Sequence, residues 1–226
     1  MTIEIIYDSL IFVLGVVKSR INGISSYLPI RKKHNYYGDN KEKEGKKDDI
    51  LLFDAKEIRY MRTIVITNQK GGCGKTTTAL NLAAALAQLG QRVLIVDLDP
   101  QAHATLGLGY NPEKLDKTIY NALVNRKTSL SKIIINTKSE RLHLAPSNIR
   151  LAKADIELSA ISQKEFVLAK QLRKVNDKYD ICIVDCPPSL GLLTFNALVA
   201  STDIIVPVQV HYYALEGLKQ LLETVK

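Results

Sequence analysis

An α/β fold with a mostly parallel, doubly wound sheet is predicted by three features of this 226-residue chain. From residue 61 onward, short β-branched runs alternate with alanine- and leucine-rich stretches, the pattern of parallel strands joined by crossover helices. A glycine-rich turn, Lys70-Gly-Gly-Cys-Gly-Lys-Thr76, links the first such run to the first helical stretch. Two later apolar runs end in aspartate, at Asp97 and Asp185. Those carboxylates therefore fall at the carboxyl ends of strands, where open parallel sheets place their ligands.

Residues 1–60 stand apart from this pattern. Their apolar run, Leu10 to Val17, is broken by Gly15 and closed by Lys18, and is far short of the roughly 20 apolar residues a membrane span needs. Glu4 and Asp8 occupy the region that a signal peptide keeps positive. Residues 31–49 are polar, mixed in charge and without periodicity, the composition of a disordered linker. Met1 and Met61 are the only methionines. Residues 1–60 are therefore expected to be a poorly structured or leader-like N-terminal extension, or the product of a misplaced start, ahead of a folded domain over 61–226. An amphipathic membrane tether over 3–17 is the competing reading, opposed by its acidic residues and its lack of a basic stripe.

Within 61–226 the strand candidates are 62–67, 92–97, 141–145, 180–185 and 203–208. Helices are expected over 75–89, 118–125, 148–159, 163–176, 190–199 and from 213 onward. The first helix should stop at Gly90, a good C-terminal breaker. The second strand should stop at Pro100.

The turn after the first strand carries the chemistry. The ordinary phosphate loop reads G-x-x-x-x-G-K-[ST]. Gly74, Lys75 and Thr76 complete it, but Gln69 stands where its first glycine belongs, and Lys70 opens the loop instead. Gly71, Gly72 and Gly74 let the backbone bend so that its N–H groups converge on a phosphate, and the following helix offers its positive end. Asp97 and Asp99 share one face if the extended conformation persists that far. Asp185, ending the run Tyr179-Asp-Ile-Cys-Ile-Val-Asp185, suits the acidic group that accompanies Mg²⁺ beside a polyphosphate.

The net charge of +8 is compatible with an anionic partner such as nucleic acid. Cys73, Cys182 and Cys186 are odd in number and lack C-x-x-C spacing, which argues for a reduced, cytoplasmic protein without a thiolate metal site.

Together, Gln69-Lys-Gly-Gly-Cys-Gly-Lys-Thr-Thr-Thr78, Val96-Asp-Leu-Asp-Pro-Gln101, Pro146-Ser-Asn148, Asp185-Cys-Pro-Pro-Ser-Leu-Gly191 and Tyr212-Tyr-Ala-Leu-Glu-Gly-Leu218 resemble the ParA/Soj chromosome and plasmid partition ATPases. These belong to the phosphate-loop NTPases with a deviant Walker A motif, the group that includes MinD. The resemblance implies ATP and Mg²⁺ as ligands and a homodimer that sandwiches two nucleotides. Gly71, Gly72, Cys73, Gly74, Lys75, Thr76 and Thr77 would cradle the phosphates, with Thr76 on Mg²⁺ and Thr77 near the α-phosphate. Lys75 would serve the β- and γ-phosphates and Lys70 would reach the partner's site. Asp99 would position the attacking water, and Asp97 and Asp185 would act on Mg²⁺ through water. Implied partners are non-specific DNA and a ParB-like stimulating protein; a membrane partner is disfavoured.

Relatives often carry Gly-Asn at Ala102-His103 and valine at Cys73. They also continue beyond the position of Lys226, so the resemblance implies a C-terminally incomplete domain with weakened DNA binding. The alternatives are a non-catalytic member that binds nucleotide or a partner, and a MinD-like membrane-cycling ATPase, which Asp99-Pro-Gln101 disfavours.

Overall fold

The computed structural model describes residues 60–125 and 127–208 with their side chains, and the backbone of residues 5–6 and 12–14. The chain divides into two units, 1–19 with 59–226, and 20–58; every described residue belongs to the first. The expected linker at 31–49 and the helix from 213 onward lie outside the described residues.

Strands among the described residues are β1 (Ile5–Ile6), β2 (Phe12–Leu14), β3 (Arg62–Ile66), β4 (Val93–Asp97), β5 (Ile135–Asn136), β6 (Leu142–Ala145), β7 (Ile181–Asp185) and β8 (Asp203–Val208). They form one sheet in the order β1-β2-β8-β3-β7-β4-β6-β5. The central five, β8-β3-β7-β4-β6, are parallel. The additions at either edge, β5 on one side and β2 then β1 on the other, are antiparallel. Those three short strands have no counterpart in the sequence reading. Pairs and triplets of residues are too brief to show a period of two.

Helices α1 (Lys75–Gln88), α2 (His103–Gly107), α3 (Ile119–Val124), α4 (Ala154–Ser159), α5 (Val167–Arg173) and α6 (Leu192–Ala200) complete the described fold. The strands alternate between two cores. Ile64, Ile66, Val93, Ile95, Ile181 and Ile183 pack with Ala79, Ala83 and Ala87 of α1. Val65, Leu94, Val96, Cys182 and Val184 pack on the opposite face with α3 to α6. A fully buried Val, Leu or Ile contributes about 1.5–3 kcal/mol, so both faces of this sheet are strongly committed. The small alanines recur every four residues along α1, which places them on one stripe against the strands.

Two expected helices are shorter than their patterns. The 148–159 stretch begins as a 3₁₀ turn, Ile149–Lys153, because the Asn148 side chain accepts from Arg150 N at 3.2 Å. The 163–176 stretch begins with a 3₁₀ turn, Lys164–Phe166, after Gln163 takes a left-handed φ of 56°. Asn196 then accepts from Leu168 N at 3.0 Å and anchors the start of α5.

Candidate nucleotide site

The loop after β3 is built on a buried asparagine. Asn68 donates to Pro207 O at 2.7 Å and accepts from Lys70 N at 3.1 Å, tying the loop's first turn to the end of β8. Sequence reasoning missed Asn68; its signal is a buried asparagine two residues beyond the apolar Ile64-Val-Ile66 end of the strand, just before the glycine loop. Gly72 and Gly74 have φ of 69° and 87°, conformations that a side chain would strain. Gly74 caps α1 by backbone alone. The first turn of α1 holds neither a side-chain cap nor an acidic residue, so its positive end faces the loop uncompensated.

Lys75 is 7% exposed. Its ammonium donates to Lys70 O at 3.0 Å and lies 4.0 Å from Cys73 Sγ. A neutral carbonyl and a thiol are weak company for a buried cation, and phosphate oxygens would form stronger charge-assisted bonds. Cys73 is 1% exposed and turned beneath the loop, whereas Gly71 and Gly72 are exposed. Thr76 is half-buried and Thr77 exposed. Lys70 contributes its backbone carbonyl to this arrangement.

The carboxylates come from two adjacent strands. Asp97 and Asp185 are direct register partners across β4 and β7, and both are fully buried. Neither oxygen of Asp185 accepts a hydrogen bond among the described residues. The Thr76 hydroxyl is the strongest influence favouring its charged form, although it does not meet hydrogen-bond geometry. Burial dominates and raises Asp185 to about 7, with Asp97 and Asp99 adding repulsion and Lys75 opposing it. Asp97 is raised to about 6, again by burial, although bonds from Thr105 and from the Asp99 amide hold the value down.

Asp99 does not reach the site by strand alternation. The strand ends at Asp97, and Asp99 lies in the following turn with its N–H on Asp97 Oδ1 at 3.2 Å. Its own Oδ1 accepts from Gln101 N at 2.9 Å. Beside this turn opens a hollow of about 860 Å³, whose lining includes Gln101, Ala102, Tyr110, Asn148 and Arg150.

No group of three or more His, Cys, Asp or Glu side chains among the described residues could by itself hold a metal. A magnesium ion would fit this place if the Thr76 hydroxyl shared it with phosphate oxygens and water. The unsatisfied Asp185 carboxylate is the buried group that such an ion or its water would partner.

A strand, a glycine loop over a buried lysine, a helix N-terminus and a buried aspartate on the neighbouring strand define a phosphate-loop nucleotide-binding protein. A family model described as an AAA domain matches residues 61–226. Over 165 residues the chain is 52% identical to the sporulation initiation inhibitor protein Soj of Bacillus subtilis, covering 73% of this chain and 65% of that protein. Over 164 residues it is 48% identical to the chromosome partitioning protein ParA of Myxococcus xanthus, covering 73% and 58%. The chain belongs to the ParA/Soj-type partition ATPase family, and it spans about three-fifths of the length of these relatives.

Among solved structures, the cobyrinic acid a,c-diamide synthase of Mycobacterium smegmatis with bound ATP analogue and magnesium is similar at a TM-score of 0.70 and 42% identity, covering 73% of this chain and 67% of that one. A plasmid partition protein from Borrelia burgdorferi is similar at a TM-score of 0.66 and 32% identity, covering 74% and 72%. The α/β fold and its mostly parallel sheet are those of the family. No helix among the described residues is long and apolar enough to cross a membrane.

Proposed function

We propose that this chain is the nucleotide-binding part of a Mg²⁺-dependent ATPase that partitions DNA, acting in the cytoplasm as an ATP-bound dimer. The observation that carries the reading is the buried, undercompensated Lys75 beneath the glycine loop, beside Asp185, whose carboxylate accepts no hydrogen bond among the described residues. A polyphosphate with its cation would satisfy both at once. Lys75 would exchange the Lys70 carbonyl for phosphate oxygens, and the loop amides with the α1 N-terminus would hold the rest of the charge. Thr76 would hold Mg²⁺, with Asp97 and Asp185 acting through its water. Mg²⁺ supplies charge neutralisation at the phosphates. Asp99 would orient the attacking water, and Lys70 would meet the γ-phosphate of the partner subunit's nucleotide. Placement and charge neutralisation are the main requirements of phosphoryl transfer.

DNA is the partner favoured by the net charge of +8 and by relatives named for chromosome and plasmid partition, and a ParB-like activator is the further partner that the family resemblance implies. ATP turnover and nucleotide affinity of three proteins test the reading. Wild type should turn over ATP, Lys75→Ala should lose nucleotide affinity, and Lys70→Ala should keep affinity but lose turnover. Equal turnover by wild type and Lys75→Ala would refute the enzymatic reading.

A further inference from the structure

On the reading that this chain hydrolyses ATP, we infer that Thr105 is a positioning residue, holding the Asp99 turn in place through Asp97. One carboxylate closes that turn at both ends. Asp97 Oδ1 accepts from Asp99 N at 3.2 Å, while Oδ2 accepts from Thr105 N at 2.8 Å and from Thr105 Oγ1 at 2.7 Å. The segment 99–104 is thereby looped out between two attachments to a single side chain. Inside the loop, Ala102 N donates to Asp99 O at 2.9 Å, and Ala102 itself takes a φ of 56°.

The Thr105 hydroxyl does a second thing: it accepts from Ser147 N at 2.9 Å. Asp97, Thr105 and Ser147 are all fully buried, so no water competes for these bonds and each lost partner would leave a polar group unsatisfied. The hydroxyl thus joins the Asp99 turn to the segment after β6. Both segments line the hollow, one through Gln101 and Ala102 and the other through Asn148 and Arg150. A tie that only fastened α2 to the sheet would need the Thr105 amide alone. The hydroxyl adds a fixed distance between Asp97, Asp99 and the 147–150 wall, and a water-orienting carboxylate depends on such placement.

The test uses the full chain with Thr105→Val, which keeps shape and amide but removes the hydroxyl, and Thr105→Ser, which keeps the hydroxyl. Thr105→Val should lower kcat about 100-fold, the scale of a misplacement near 1 Å, with the affinity for a fluorescent ATP analogue essentially unchanged. Thr105→Ser should restore most of the loss. Thr105→Val combined with Asp99→Ala should be no slower than Asp99→Ala alone, because both remove the same function. Parallel loss of affinity and turnover, failure of Thr105→Ser to rescue, or multiplicative losses in the double variant would overturn the inference.

Hydrogen exchange of the wild type gives a readout that needs neither turnover nor a folded variant. The amides of Asp99, Thr105 and Ser147 should exchange together as one protected unit, and separate exchange would overturn the clamp. A wild type without turnover but with common exchange would refute the ATPase reading and leave the clamp standing as a structural device, not a catalytic one.

Discussion

Replacing Asp185 by asparagine should stabilise the nucleotide-free protein at pH 8 while removing the carboxylate proposed to act on Mg²⁺. Asp185 is buried, carries no hydrogen bond among the described residues, and has its carboxyl raised from 3.8 to about 7. At about 1.4 kcal/mol per pH decade, ionising it in the fold costs about 4 kcal/mol relative to the unfolded chain. The raised value sets the sign. The folded state binds the proton more tightly, so stability falls as pH rises from about 4 to about 7 and stays lowered above it. Asparagine removes the charge but leaves a buried amide needing partners, a cost of about 1–3 kcal/mol. The net gain expected at pH 8 is about 1–3 kcal/mol. At pH 5 the wild-type carboxyl is already protonated in the fold, and the gain should disappear.

Urea unfolding of both proteins at pH 5 and pH 8, without nucleotide or Mg²⁺, measures this directly. Equal stability at both pH values, or a less stable variant at pH 8, would refute the picture of an uncompensated buried carboxylate. On the proposed reading the same variant should lose Mg²⁺-dependent nucleotide affinity, because a bound cation would compensate the buried carboxylate.

Two further substitutions probe the backbone around the site. A Cβ at Gly191 would stand 2.6 Å from Asp155 Oδ2, and the other oxygen of that carboxylate accepts from Leu193 N at the start of α6. Gly191→Ala should displace this anchor and cost about 1–2 kcal/mol in thermal unfolding, the value of a helix cap; an unchanged midpoint would exclude the clash. Ala102→Gly should be close to neutral. Relief of the left-handed φ, about 1–2 kcal/mol, is offset by one buried methyl at about 0.8 kcal/mol and by a more flexible unfolded chain at about 0.4–1 kcal/mol. A stability change beyond about 1 kcal/mol would contradict that balance.

Much of this protein was legible in its residues because the relevant signals are local. Four of the five parallel strands announce themselves as β-branched runs, while β6, Leu-His-Leu-Ala, shows only its leucines, and the glycine loop needs only its own spacing to specify a tight turn. Lys75, Asp97 and Asp185 could each be named from the end of a run. What residue order could not convey is which strands are neighbours. The sheet places β7, late in the chain, between β3 and β4, and only that insertion sets Asp185 in register with Asp97 and beside Lys75. The same holds for Asn68 and Thr105, polar residues outside every motif, and for the hydrogen bond that the Ser147 amide makes to Thr105. Long-range packing buries them and sets their bonds, Asn68 to Pro207 O and Lys70 N, and Thr105 to Asp97 and the Ser147 amide. Local covalent preference is decided by adjacent residues and so can be read in order along the chain; burial and cross-strand electrostatics depend on segments brought together from a distance, and only the tertiary structure decides them.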